Sequence, residues 1–214
     1  MIDMDGTLYD VSDLIEDGFN TSVNYLIEFY EFDKEDAEEA LIQNHIYPYV
    51  SEDARSTTGF FISRGIDMTH WDAYRSEHFG YRLIDNSKAM SEESLKKLAD
   101  IAPLVLLTNN TRINVKHVLD KINVSEDIFT EIFCNENEKK TPSKKTMMEE
   151  LLHKYNVKPH EALSIGDRFD VDAKPMIELG GSALILLKPQ AIDRFLDEID
   201  NPQSCNVYSF YPGK

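Results

Sequence analysis

From residue 91 onward, short apolar runs and amphipathic stretches take turns along the chain, and this alternation narrows the possible folds more than any other feature. Ser91-Glu92-Glu93-Ser94 opens a helix, with an N-cap residue followed by an acidic first turn, and that helix ends before Pro103. Leu104-Val105-Leu106-Leu107 then reads as a fully buried strand. The pattern continues with helix 113–122, strand 128–134, helix 143–155, strand 162–165, helix 171–179, strand 183–187 and helix 190–199. Gly180-Gly181 supplies a helix C-terminus. Such alternation builds βαβ units, and so an α/β fold with a parallel sheet covered by helices on both faces. Ligands of these sheets bind beyond the carboxyl ends of the strands. The tail 201–214 carries no pattern that assigns it a structure.

The stretch before residue 91 follows a different period. Val11, Leu14, Ile15, Phe19, Val23, Leu26, Ile27 and Tyr30 recur at intervals of three and four, as on an amphipathic helix. Ala37, Ala40 and Leu41 mark a second helix over 33–44, and His45-Ile46-Tyr47-Pro48-Tyr49 is a proline-broken aromatic loop. A third helix begins at Thr57 and closes at Gly65, and a fourth covers 68–79. No segment here alternates as a strand does, so 11–85 reads as an all-helical insertion between 1–10 and 86–214.

The 214 residues suffice for a core domain with a smaller companion, and a hydrophobic content of 42% supplies the core. Lys+Arg 22 against Asp+Glu 39 gives a net charge of −17, which argues against a nucleic-acid polymer as partner. It also repels anionic substrates at long range, so a phosphate site has to rest on a metal, a lysine and helix N-termini. No apolar run approaches the roughly 18 residues of a membrane span, and the N-terminus lacks a basic, apolar leader. The expectation is a cytoplasmic protein. Cys134 and Cys205 are too few for a disulfide framework and are expected to be reduced thiols.

Acidic residues gather at the predicted strand ends. In Met1-Ile2-Asp3-Met4-Asp5-Gly6-Thr7-Leu8-Tyr9-Asp10, the side chains of Asp3 and Asp5 would point the same way on an extended chain. Their repulsion calls for a cation or a shared proton, and Mg²⁺, which takes carboxylate and phosphate oxygens, is the expected relief. Gly6 permits the sharp turn that follows. Leu163-Ser164-Ile165-Gly166-Asp167 places another acid just beyond a buried strand, with Asp170 and Asp172 three and five residues on. Those two also suit the first turn of a helix. Thr108, past the strand that ends in Leu107, suits a helix cap equally well.

Taken together, Asp3-Met4-Asp5-Gly6-Thr7-Leu8-Tyr9, Leu106-Leu107-Thr108-Asn109-Asn110, Lys139-Lys140-Thr141-Pro142-Ser143-Lys144-Lys145 and Gly166-Asp167-Arg168 with Asp172 resemble, in order, the four signatures of the haloacid dehalogenase superfamily. The resemblance runs from Asp3 to about residue 187 and implies a Rossmann-like core, with the helical insertion as the cap called C1. It implies Asp3 as nucleophile and Asp5 as the acid that protonates the leaving alcohol and later takes a proton from water. It further implies Thr108, Asn109 and a lysine as phosphate ligands. Mg²⁺ would be held by Asp3, Asp167 and the backbone carbonyl of Asp5, with Asp172 behind them. Thr141 stands where the family usually has its lysine, which leaves Lys140 or Lys144. Lys140 is preferred, because a loop residue can reach the strand ends.

Dehalogenases of this fold need no leaving-group proton and lack an acid at the position of Asp5, so the expected reaction is hydrolysis of a small phosphate monoester. A phosphomutase, or a catalytically silent metabolite- or partner-binding protein, are the alternatives. Tyr49 with Ser56-Thr57-Thr58-Gly59-Phe60 and Gly65-Ile66-Asp67 is similar to the pyrimidine 5′-nucleotidase-like branch, and implies a nucleoside monophosphate substrate. Tyr49, Arg55, Thr58 and Arg64 are candidates to meet the leaving group. Only Met1 and Ile2 precede Asp3, so the first strand is either very short or begins upstream of this start.

Overall fold

The computed structural model describes residues 1–43, 57–135, 143–199 and 207–213. The chain divides into two compact units, Met1–Val11 with Ile84–Lys214, and Ser12–Leu83.

The second unit is helical throughout its described residues, with α1 (Ile15–Tyr30), α2 (Lys34–Gln43), α3 (Thr57–Ser63) and α4 (Met68–His78). Asp67 caps α4 by accepting a hydrogen bond from the Thr69 N–H at 3.0 Å, which satisfies one of the amides that a helix start leaves without a partner. The apolar stripe of α1 turns inward. Val23, Tyr25 and Leu26 pack with Leu41, Phe60, Phe61 and Trp71, and Tyr25 stands edge-on to Trp71 with ring centroids 5.0 Å apart.

In the first unit the sheet is assembled around three residues. Ile2 N–H donates to Val105 O at 2.8 Å, and Leu107 N–H donates back to Ile2 O at 2.8 Å. On the other side Asp3 N–H donates to Ile165 O, and Ile165 N–H to Met1 O, both at 2.9 Å. Residues 1–3 are therefore a parallel strand segment clasped between β1 (Val105–Thr111) and β3 (Leu163–Gly166). Beyond β1 lies β2 (Glu131–Asn135), also parallel. Beyond β3 lie β4 (Ser182–Leu186), parallel, and β5 (Tyr208–Tyr211), antiparallel. The order is β2, β1, residues 1–3, β3, β4, β5. Ile2, Leu106 and Ile165 are buried along its middle, as residues of a sheet covered on both faces must be.

The connecting helices are α5 (Glu92–Ile101), α6 (Arg112–Ile122), α7 (Lys144–Lys154), α8 (Lys174–Leu179) and α9 (Ala191–Asp197). Ser91 caps α5 and Ser143 caps α7, each accepting from the N–H three residues on. Met147, Met148 and Leu151 of α7 pack with Val105, Leu107 and Met176.

Three local features depart from the sequence reading. The segment 171–179 is not one helix but a π-turn, Phe169–Ala173, running into α8. The segment 128–134 starts as a 3-10 turn, Glu126–Ile128, and becomes strand only at Glu131. The tail, which has no pattern of its own, supplies β5, whose strand partner among the described residues is β4. Tyr208 anchors it, wholly buried, edge-on to Phe195 and donating to Glu198 Oε2 at 2.5 Å. Tyr208→Ala is expected to lower the unfolding free energy by about 3–4 kcal/mol, and Tyr208→Phe by about 1 kcal/mol. Equilibrium denaturation by urea would show both. A change under 1 kcal/mol for the alanine variant would mean that β5 is not part of the folded unit.

Candidate active site

The carboxyl edge of the sheet gathers the acidic residues. Because residues 1–3 lie between β1 and β3, Asp3 leaves the sheet between Thr108, at the middle of β1, and Asp167, immediately after β3. Relative to β2, the register of β1 shifts between Leu107 and Thr111, an irregularity of the kind that re-aims side chains beside functional sites.

Asp167 and Asp172 come together through the π-turn. Its wider winding brings the Asp172 carboxylate back over Gly166, where an added Cβ would lie 2.3 Å from Asp172 Cβ. Asp172 is buried, and its Oδ2 accepts the Arg168 N–H at 3.0 Å. Its Oδ1 accepts from Lys144 Nζ at 2.5 Å, and the same ammonium lies 2.6 Å from Asp3 Oδ1. Lys144, in the first turn of α7, thus bridges two buried carboxylates.

Asp3, Asp167 and Asp172 each offer an oxygen within 4.8 Å of the others. Three carboxylates share one buried cation, so full ionisation of the cluster would leave two negative charges uncompensated. Burial pushes Asp3 well above the usual carboxylate range; Lys144 opposes this, while Asp172, Asp167 and Asp5 add to it. Asp167 is pushed up to about 7, first by burial and then by Asp172. Burial acts to lower Lys144, but Asp3 and Asp172 outweigh it and hold the ammonium charged. A hard dication with oxygen ligands matches both the donor set and the charge deficit. Gly6, at φ +78°, lets the backbone pass so close that a Cβ there would lie 2.2 Å from Asp167 Oδ2.

Asp5 is held apart from this cluster. Its Oδ1 accepts from Tyr9 Oη at 2.5 Å and its Oδ2 from Asn110 Nδ2 at 2.6 Å. Asn110 is itself oriented by Asn114, whose Nδ2 donates to Asn110 Oδ1 at 3.0 Å. The buried Thr108 hydroxyl accepts the Asn110 N–H at 3.1 Å, which leaves its own proton to donate to an anion. Asn109 is exposed.

The structure thus places Asp3, Asp167 and Asp172 together, with Asp5 and Thr108 at the neighbouring chain ends. Lys140, preferred from sequence, lies outside the described residues, as do Tyr49, Arg55 and Ser56; Lys144, the alternative, makes the contacts just described. Arg64 in the helical unit lies over the Phe60 ring, 5.2 Å from its centroid. The sequence reading passed over Tyr9, Asn110 and Asn114 as site residues. The i, i+4 spacing of Asp5 and Tyr9, and of Asn110 and Asn114, is the only local signal for them.

A family profile described as haloacid dehalogenase-like hydrolase matches residues 1–180. The chain belongs to that family. No curated protein matches this haloacid dehalogenase-like hydrolase. Among solved structures it is similar to a phosphatase of the same superfamily from Thermococcus onnurineus, with 16% identity, a TM-score of 0.60, and coverage of 96% of this chain and 88% of that one. It is also similar to a haloacid dehalogenase-like hydrolase from Streptococcus pneumoniae (19% identity, TM-score 0.56, coverage 85% and 80%). A third likeness is to a predicted phosphoglycolate phosphatase from Haemophilus somnus (19%, 0.51, 85% and 81%). At these identities the likeness is one of fold. Among the described residues no helix is long and apolar enough to cross a membrane.

The raised value of Asp167 has a consequence for stability. The folded chain holds this proton more tightly than the unfolded chain, so the contribution is full below about pH 4 and is lost as pH rises through about 7. In the presence of a chelator, Asp167→Asn is expected to melt roughly 5 °C above the wild type at pH 8 and to lose that advantage by pH 4. Thermal unfolding across that range reads it, and a variant less stable than the wild type at pH 8 would contradict it.

Proposed function

We propose that this hydrolase is a Mg²⁺-dependent phosphatase that cleaves a small phosphate monoester through an aspartyl-phosphate on Asp3. The observation that carries the reading is the three-carboxylate cluster around Lys144, with a fourth carboxylate, Asp5, held separately by neutral donors. Asp3 and Asp167, with the backbone carbonyl of Asp5, would hold the cation. Asp172 has both oxygens engaged and serves to fix Lys144. Bound there, Mg²⁺ supplies charge neutralisation to the phosphate and the nucleophile.

The chain's own groups do the rest. Asp3 attacks phosphorus. Lys144 tempers the repulsion between the Asp3 carboxylate and the incoming phosphate, and the Thr108 hydroxyl with the Asn109 backbone N–H binds phosphoryl oxygens. Asp5 gives the leaving alcohol its proton and takes one from the hydrolytic water. That second carboxyl group favours phosphatase over dehalogenase chemistry, since a departing halide needs no proton.

In this reading the all-helical insertion 11–85 is a C1 cap, and the substrate is a nucleoside 5′-monophosphate. Support for the substrate comes from the segment around Thr57-Thr58-Gly59-Phe60 and from Tyr49 in the sequence.

Phosphate release from a panel of nucleoside monophosphates, sugar phosphates and phosphoglycolate tests the reading. Release is expected to require Mg²⁺, to vanish in Asp3→Asn and to favour the pyrimidine monophosphates. No release above the Asp3→Asn background would overturn it. On the best substrate of that panel, Lys144→Gln is expected to lower kcat/KM by about 10²–10³-fold, and Lys140→Gln by less than about threefold. The reverse ranking would return the family lysine to position 140.

A further inference from the structure

The carboxylate of Asp5 sits between two partners of unlike capacity. Tyr9 Oη lies 2.5 Å from Oδ1, and Asn110 Nδ2 lies 2.6 Å from Oδ2. An amide nitrogen can only donate, whereas a phenolic hydroxyl donates or accepts. Asn110 is not free to turn its amide round, because its Oδ1 already accepts from Asn114 Nδ2 at 3.0 Å and both asparagines are buried. Tyr9 is equally confined: it is 1% exposed, its backbone bridges to Asp5, and its neighbour Leu8 accepts the Met90 N–H at 2.7 Å. The two oxygens of Asp5 are therefore not equivalent.

We propose that Tyr9 and Asn110 are positioning residues for the acid and base steps of the phosphatase reaction, on which this inference rests. Each holds one oxygen of Asp5, Tyr9 Oη at 2.5 Å and Asn110 Nδ2 at 2.6 Å, and together they fix the rotation of the carboxyl group that meets the leaving oxygen. Asn114 extends the clamp, since its Nδ2 holds Asn110 Oδ1 at 3.0 Å. A carboxyl group released on one side turns about its bond to Cβ, and proton transfer is sensitive to that geometry.

The steps balance. An oxygen of Asp3 forms a bond to phosphorus while the ester P–O bond breaks. The electron pair of that bond stays on the ester oxygen, which takes the proton from Asp5 and departs as the alcohol. Water then attacks phosphorus and gives its proton to Asp5. The P–O bond to Asp3 breaks, its pair returns to the carboxylate, and inorganic phosphate is released.

Proton delivery matters in proportion to the basicity of the leaving group, and this separates positioning from packing. Phenyl phosphate and p-nitrophenyl phosphate differ little in size, but only phenolate needs its proton at neutral pH. The ratio of their kcat/KM values, phenyl over p-nitrophenyl, is to be measured for the wild type, Tyr9→Phe, Asn110→Ala and Asp5→Asn. Tyr9→Phe keeps the buried ring and loses only the hydroxyl. The ratio is expected to fall about tenfold in Tyr9→Phe and in Asn110→Ala, in the direction set by Asp5→Asn. If a folded variant at either position lowers both esters by the same factor, so that the ratio stands, the inference is overturned while the phosphatase reading survives. A wild type that releases phosphate from neither ester and from no member of the panel above removes the phosphatase reading, and the inference falls with it.

Discussion

The Lys144 ammonium between Asp3 and Asp172 is the contact on which the strand ends depend. Two carboxylates that have left water repel each other strongly at this range, and an isolated charge in such surroundings is costly. Lys144 lies 2.6 Å from one and 2.5 Å from the other, and among the described residues no other lysine or arginine is buried. Its charge opposes the effect of burial on Asp3. A third carboxylate, Asp167, shares the cluster with no cation of its own, and burial with neighbouring charge raises its affinity for a proton accordingly. With more carboxylates than cations the site is electrostatically incomplete, and a dication with its own demand for oxygen ligands would complete it.

Several structural details serve that contact. Residues 1–3 are wedged between β1 and β3 by hydrogen bonds on both sides, which fixes where Asp3 emerges. The π-turn after Asp167 winds the chain so that Asp172 comes back over Gly166. The N-cap at Ser143 starts α7 one residue before Lys144, so the lysine projects from the first turn toward the sheet edge. The small residues Gly6 and Gly166 leave the space into which the carboxylates fit. Asp5 is held by Tyr9 and Asn110, and so a carboxylate with neutral partners stands beside carboxylates that share an ammonium.

Much of this architecture can be read from the sequence, for a physical reason. Buried strands such as Leu104-Val105-Leu106-Leu107 and amphipathic helices with capping serines announce themselves locally, because burial on two faces or one dictates their composition. What escaped depends on partners distant in the chain. Residues 1–3 are too few for any period, and become a strand only because β1 and β3 clasp them. Tyr208–Tyr211 form β5 because β4 offers an open edge. The break at Phe169–Ala173 looks helical in sequence, since a π-turn and an α-turn ask for the same residues. Acids at the strand ends were legible as a set because glycine and apolar runs precede them. The direction of Lys144 was not, because a side chain in the first turn of a helix can face any way until the sheet beside it is placed. Tyr9 and Asn110 were hidden for the same reason: a tyrosine and an asparagine gain meaning only from the carboxylate they hold.

If Asp3 is the nucleophile, it becomes phosphorylated during turnover. Quenching the reacting enzyme in acid, reducing the acyl phosphate with borohydride and sequencing the N-terminal peptide reads this at the residue itself. Homoserine is expected in place of aspartate at position 3 and only there, and none when the substrate is omitted. Reduction at another carboxylate, or an intact Asp3 in enzyme trapped while releasing phosphate, would contradict it.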